Sequence, residues 1–452
     1  MEREMLMEHE IDLFGEVKPV AKKRSTKATK VAKVAKVAKE ARSGTFTDNM
    51  KLPIHRWFRY SAGFSAEWAK SIIEQEKTAS KLTVLDPFAG SGTTLLAAEH
   101  AGVDSYGLES HPFVARIASA KLLWHKIDSK KYVEAIHFLI EKSKEGQSNF
   151  LPNTSELLAK CYSEDSLNKL FALKSEFLKK NKDTPIDQMV WLTITTILRA
   201  CSHAGTAQWQ YVLPNKTKAK VLDPFDALAA KADQIAQDIE YAKSEYSPLA
   251  KMIQLDARLA SEIPEKSIDL VVTSPPYPNN YDYADATRLE MTFWGDIEGW
   301  SDLHEKVRKH IIRSCSQHSA ADRIDLNEFL ESELLKPISD EISAVCNELA
   351  EVRKTKGGRK TYHTMIAAYF LDLAQIFHRL RPLCKDGSRL CFVVGDSAPY
   401  GVYVPAEEWL GKLAIHAGFK SYTFEKIRDR NVKWKNRKHD VPLHEGRLWI
   451  EG

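Results

Sequence analysis

One stretch constrains the fold more than any other: Val84-Leu85-Asp86-Pro87-Phe88-Ala89-Gly90-Ser91-Gly92-Thr93-Thr94, leading into the helix-forming Leu95-Leu96-Ala97-Ala98-Glu99. Strand, glycine turn and helix in this order make a cofactor-binding loop, because Gly90 and Gly92 let a ligand come close to the backbone. No Lys follows the last glycine, as a phosphate-cradling Walker loop requires, and the spacing is not GxGxxG. Nucleotide hydrolysis and nicotinamide binding both lose ground. Further on, Ser105-Tyr106-Gly107-Leu108-Glu109 reads as a second short strand ending in an acid. A carboxylate there can accept hydrogen bonds from two ribose hydroxyls; a plain surface acid is the alternative.

The second informative stretch is Ile268-Asp269-Leu270-Val271-Val272-Thr273-Ser274-Pro275-Pro276-Tyr277. Its apolar, β-branched part describes a buried strand, and the prolines stop it. Proline cannot continue a central strand, and it biases the residue before it towards extended backbone. Ser274 and Tyr277 are therefore expected at a strand's carboxyl end, where open α/β sheets bind ligands. Taken alone, the motif is equally an ordinary strand-ending turn.

Together the two motifs resemble the amino-methyltransferases that act on exocyclic amines of DNA bases. Asp86 to Thr94 is similar to that family's S-adenosylmethionine loop, and Ser274-Pro275-Pro276-Tyr277 to its catalytic motif. The serine form resembles the cytosine-N4 branch, whereas the adenine-N6 branch usually carries Asp or Asn first. The resemblance implies a cofactor site made of Phe64, Asp86, Phe88, Ala89, Gly90, Ser91, Gly92, Thr93, Glu109 and Asp256. It also implies that Ser274 and the Pro275 carbonyl accept the target amine, and that Tyr277 stacks on the extruded base. Catalysis then comes from positioning in a shaped polar site, with no covalent intermediate. A base inside a duplex is out of reach, so such an enzyme flips it or acts on single strands. Cytosine-C5 chemistry would need a nucleophilic cysteine, typically after a proline, and the chain has no Pro-Cys pair.

The remaining elements fit an α/β, Rossmann-like class I methyltransferase: a seven-stranded, mostly parallel sheet with helices on both faces and helical insertions. Pro53 to Phe58 and Phe64 to Trp68 resemble the family's upstream motif, which packs on the methionine end of the cofactor. Ile253 to Arg258 looks like a third strand whose Asp256 reaches the cofactor's adenine amine. Apolar positions at i, i+3 and i+4 predict a helix from Tyr362 to Leu383 that packs on the sheet. A turn is expected at Lys385-Asp386-Gly387, then a buried strand from Arg389 to Ser397. A helix through Trp409 to Ala414, a Gly418 cap and strands near Tyr422-Thr423-Phe424 and Leu448-Trp449-Ile450 complete the sheet.

Charge is unevenly placed. Between Val17 and Ser43 lie ten basic residues, Lys22, Lys23 and Arg24 among them, against the single acid Glu40. The whole chain carries a formal net charge of only +4, so the remainder is acidic on balance. The Lys-Val-Ala repeats can build no core, so residues 1–45 read as a flexible tail. Its charge suits salt-sensitive binding to DNA phosphates, a solvated tail with no role being the alternative. Within it, Ile11-Asp12-Leu13-Phe14 resembles the short peptides that bacterial proteins dock into the sliding clamp, without their usual leading Gln.

Four regions follow: the tail; 46–125 with the upstream motif and cofactor half; a helical insert at 126–250; and a catalytic half at 251–452, itself interrupted at about 295–356. The family's usual target-recognition positions do not transfer, because the third strand and the catalytic motif are almost adjacent and little chain follows the last strand. The first insert is the candidate reader of DNA sequence, with Arg428, Arg430, Lys433 and Lys435 gripping phosphates. The six scattered cysteines form no Cys-x-x-Cys, the histidines no cluster, and no metal site is expected. No apolar run approaches membrane-spanning length, and the start is acidic rather than signal-like. The expectation is a cytoplasmic, prokaryotic DNA cytosine-N4 methyltransferase that works near the nucleoid, as part of a restriction or defence system. An adenine-N6 enzyme, an RNA base methyltransferase and a non-enzymatic DNA-binding protein of the same fold are the other readings.

Overall fold

The computed structural model describes residues 46–430 and 441–452 apart from 62, 78–80, 147–153, 208–209, 280, 318–324 and 358–359, together with the backbone of Glu10, Ile11, Val17 and Lys18. Lys22, Lys23, Arg24, Lys433, Lys435 and the side chains of Ile11-Asp12-Leu13-Phe14 lie outside the described residues. Met1–Arg42 and Ser43–Gly452 form separate units. In the first, β1 (Glu10–Ile11) pairs antiparallel with β2 (Val17–Lys18).

The second unit is built on a seven-stranded sheet. Its strands are β3 (Thr83–Asp86), β4 (Asp104–Leu108), β7 (Ala250–Ile253), β8 (Ile268–Thr273), β9 (Cys384–Gly395), β10 (Ser421–Arg430) and β11 (Leu443–Glu451). They lie in the order β10-β11-β9-β8-β3-β4-β7. All pairs are parallel except those of β11, which runs against both β9 and β10. The chain moves outward from β3 through β4 to β7, then returns to the other side of β3 as β8. Strand order therefore reverses between β3 and β8, and in open α/β sheets the crevice at the carboxyl ends of such a pair is the ligand site.

The central strands are buried on both faces, with alternate residues entering different cores. Val84, Leu270, Val272 and Cys391 pack under the helix Ala66–Glu76. Leu85, Val271, Leu390 and Phe392 pack under Tyr362–Leu383 and Ala406–His416. The first of these two helices spans the predicted residues. Gly418 has φ +97 and follows the second helix, as expected of a cap.

Two details differ from expectation. The predicted turn at Lys385-Asp386-Gly387 is a bulge inside β9: Ile268 faces Cys384 and Leu270 already faces Arg389, with Gly387 at φ +79. The third strand, expected over Ile253 to Arg258, runs instead over Ala250–Ile253, and beyond it Asp256 folds back to accept the backbone N–H of Arg258 (2.9 Å).

The 126–250 insert is mainly helical, as its pattern implies, but it also carries an antiparallel hairpin, Ala204–Thr206 with Val212–Thr217. Its helices Ser129–Glu145, Glu164–Lys180, Pro185–Cys201 and Pro224–Glu245 share a core with Leu95, Leu96, Phe113 and Ile117. Asp238, buried on the last of them, accepts from Ile54 N, Arg56 Nε and Trp57 Nε1 at 3.3, 3.0 and 2.9 Å. The insert is thus tied to the upstream segment. All six cysteines are free and buried, and no helix among the described residues is long and apolar enough to cross a membrane.

Candidate active site

The carboxyl ends of β3 and β8 are joined by one buried carboxylate. Asp86 is 1% exposed and accepts from Thr273 Oγ1 (2.5 Å), Thr94 Oγ1 (2.6 Å) and Phe88 N (3.0 Å). Burial pushes its pKa up to about 6, against these three hydrogen bonds, which lower it. Asp86 therefore lies behind the cavity wall. It fixes the residue before Ser274 to the start of the glycine loop, so cofactor loop and catalytic motif are held in one register.

In the loop, Gly92 has φ +87 and Gly90 φ +53, conformations that L side chains rarely adopt. A Cβ at Gly90 would stand 3.1 Å from the ring of Tyr60, across a cavity that both residues line. Glu109 follows β4 directly. Its Oε2 accepts from Gly90 N (2.9 Å) and its Oε1 from His111 N (2.7 Å), which leaves lone pairs on both oxygens. Burial is the main reason its pKa rises to about 7, with the two backbone donors opposing.

Most of the predicted residues meet at this cavity. Phe64, Phe88, Ala89, Gly90, Ser91 and Thr93 line it from the cofactor side, with Glu109. Ser274 and Pro276, just beyond the end of β8, line it from the opposite side. Pro275 is buried between them. Ser274 Oγ lies 3.3 Å from the Val393 carbonyl, and Ser274 and Tyr277 share a side-chain hydrogen bond. The Tyr277 ring packs against Gly395 under the guanidinium of Arg430, 5.1 Å away, where burial pushes its pKa up. Asp256 borders a shallow continuation of the cavity beside Phe88 and Glu109, with its carboxylate held by Arg258 at 2.6 Å. Arg428 is paired with Glu445 at 2.9 Å.

Several residues escaped the sequence reading. Lys121 is 1% exposed, with Nζ 3.3 Å from the carbonyls of Ser91 and His55, so it braces the loop from behind. Burial brings it down to about 7. His111, also on the cavity, faces Thr287 Oγ1 at 2.9 Å and is driven down to about 3 by burial, hence neutral. Gln210, in the 126–250 insert, is buried and does not project outward. Its side chain accepts from Ser61 N (2.8 Å) and donates to the Arg59 carbonyl (2.7 Å), and Tyr211 Oη accepts from Asp282 N (2.5 Å). Lys121 and Gln210 show no pattern that announces their long-range partners.

The reversal of strand order, the positive-φ glycine loop and the acid after β4 define a Rossmann-like methyltransferase. A sequence profile described as DNA methylase, for N6/N4 methyltransferases, matches residues 13–120. The Type II methyltransferase M.BsoBI of Geobacillus stearothermophilus is 25% identical over 429 residues, covering 85% of this chain and 82% of that protein. M.AvaI of Nostoc sp., also a Type II methyltransferase, is 24% identical over 403 residues, 83% and 81% of the two chains. The Type II methyltransferase M.MjaII of Methanocaldococcus jannaschii is 34% identical over 82 residues, 17% of this chain and 15% of that one. The profile match and these relatives support the DNA amino-methyltransferase family for this chain. Enzymes of this family generally use S-adenosylmethionine.

Proposed function

We propose that the protein transfers a methyl group from S-adenosylmethionine to the N4 amine of cytosine in DNA. The observation that carries this reading is Ser274. It stands at the end of β8 on the same cavity as the glycine loop, at the position where a first-place serine resembles the cytosine branch. The residues suit the cofactor: the positive-φ loop leaves room that a Cβ at Gly90 would fill, and both Glu109 oxygens retain acceptor capacity for ribose hydroxyls. Phe64, Phe88, Ala89, Ser91 and Thr93 would surround it, with Asp256 at the far end. When bound, the cofactor supplies an electrophilic methyl group on a sulfonium.

Ser274 Oγ and the Pro275 carbonyl would accept hydrogen bonds from the amine, turning its lone pair, otherwise delocalised into the ring, towards that methyl. Tyr277 would carry the stacked base. The base has to leave the duplex to reach this cavity. The insert remains our candidate for target recognition, the basic tail for phosphate contacts and Ile11 to Phe14 for the sliding clamp. A role beside a restriction nuclease in a prokaryotic cytoplasm is in keeping with the Type II relatives.

DNA from cells expressing the protein, sequenced so that N4-methylcytosine and N6-methyladenine are separated, tests the base and yields the site. N4-methylcytosine at one short motif is expected; N6-methyladenine alone would overturn the choice of base. A second test uses pH. Glu109, raised to about 7 by burial, must be ionised to accept most strongly from ribose. Cofactor affinity should therefore be full above pH 7 and fall towards acid, by up to about tenfold per unit well below the pKa. Calorimetry across pH 5.5 to 8 reads this about the neutral point, and Glu109→Gln should flatten the profile.

A further inference from the structure

We infer that Arg430 is a specificity-determining residue, whose guanidinium donates to the ring acceptors of a cytosine stacked on Tyr277. The inference rests on the cytosine-N4 reading above.

Arg430 is the last residue of β10, which runs in the same direction as β8 and β9. Its side chain therefore starts from the sheet edge that carries Ser274. The guanidinium lies over the Tyr277 ring, 5.1 Å from its centroid, and Nη1 donates to the Asp396 carbonyl at 2.7 Å. Gly395 makes this possible: a Cβ there would stand 2.7 Å from Arg430 Nη1 and 3.1 Å from the Tyr277 ring.

The carbonyl that holds Arg430 belongs to a residue locked on all sides. Asp396 is fully buried, and its carboxylate accepts from His444 N (2.8 Å) and Tyr403 Oη (3.1 Å). His444 Nδ1 faces Asp396 at 2.8 Å, and its Nε2 faces Glu407 at 2.9 Å. With both ring nitrogens facing carboxylates, this cluster braces the residue behind Arg430.

Arg430 also differs from its neighbour. Arg428 is neutralised by Glu445, whereas Arg430 has no carboxylate partner among the described residues. A guanidinium carries five N–H donors and no acceptor, so one bond to a carbonyl leaves most of its capacity unused among the described residues. A cation held over a catalytic ring, with donors to spare, suits a partner that brings acceptors.

Cytosine brings them in the required place. With its N4 amine at Ser274 and the Pro275 carbonyl, the next two groups along the same edge are N3 and O2, both acceptors. Adenine in the same pose offers N1 and then a C–H. A base stacked on Tyr277 lies at the level of a group stationed over that ring, so Arg430 can meet this edge side-on. A planar fork facing two adjacent acceptors is the geometry in which arginine discriminates between bases.

The test uses the full-length protein and its Arg430→Ala and Arg430→Lys variants. Methyl transfer from S-adenosylmethionine to unmethylated genomic DNA is followed by mass spectrometry of N4-methylcytosine and N6-methyladenine, with cofactor affinity measured by calorimetry. Arg430→Ala should lower N4-methylcytosine formation by roughly ten- to a hundredfold, the size of one bidentate base contact. Arg430→Lys should fall between it and the wild type, and the cytosine-to-adenine product ratio should drop in both, with cofactor affinity kept. Cytosine product within about twofold of wild type, loss of cofactor affinity, or cytosine and adenine products falling in equal proportion would each reduce Arg430 to a structural brace of Tyr277. Wild-type protein yielding only N6-methyladenine overturns the cytosine reading itself, and is recognised before any variant is made.

Discussion

Ser274→Ala is expected to lower turnover by roughly a hundred- to a thousandfold, the loss typical of one positioned hydrogen-bonding group at a reacting centre. Cofactor affinity should stay within about twofold, because Ser274 meets the cavity from the catalytic side while the glycine loop and Glu109 form the other. The change removes a single hydroxyl from a partly buried position, where it approaches the Val393 carbonyl at 3.3 Å and bonds to Tyr277. The fold should therefore tolerate it. Single-turnover methylation alongside calorimetry separates chemistry from binding, and an alanine variant that methylates at the wild-type rate would remove Ser274 from the mechanism.

The second large effect concerns stability. Asp86→Ala should destabilise the protein by about 3–5 kcal/mol, because it removes the acceptor of Thr273 and Phe88 N and leaves Thr94 Oγ1 only the Val272 carbonyl at 3.2 Å. Urea unfolding measures this, and a loss below about 1 kcal/mol would mean that the two strand ends hold their register without the carboxylate. Asp86→Asn keeps the shape and should cost less. It also carries a pH signature. Burial holds the folded pKa of Asp86 at about 6, above that of a free carboxylate, so the wild type takes up a proton on folding between those values. Stability from this group is full below the unfolded pKa and is lost as pH rises through about 6. The asparagine variant has no such loss, so the gap between the two proteins should narrow as pH rises from about 4 to about 6.

The two motifs were legible because each is local. A β-branched run stopped by Pro275 and Pro276, and a strand turning at Gly90 and Gly92 into a helix, impose their shape through φ restriction and φ freedom within a few residues. The helix Tyr362–Leu383 was legible for a similar reason, its apolar spacing being a property of one segment. The third strand occupies Ala250–Ile253 rather than the expected Ile253 to Arg258, because Asp256 bonds to Arg258 N and turns the chain sooner than apolar pattern alone suggests. Gln210, in the insert expected to read DNA, illustrates the opposite limit. Gln210 spends its amide on Ser61 and Arg59, nearly 150 residues away, and composition cannot show which polar side chains find such partners.

By itself the sequence determined that a glycine loop and a proline-stopped strand end would occupy one edge of an α/β sheet, since backbone geometry at those residues allows little else. Only the tertiary structure decided what that edge contains. It put Asp86 behind the wall as a clamp instead of on it, set Lys121 under the loop, and brought Arg430 from the end of β10 onto Tyr277. The physical reason is burial. A carboxylate, an ammonium or a guanidinium leaves water only where donors or acceptors from distant strands converge on it, and that convergence is a product of the assembled sheet.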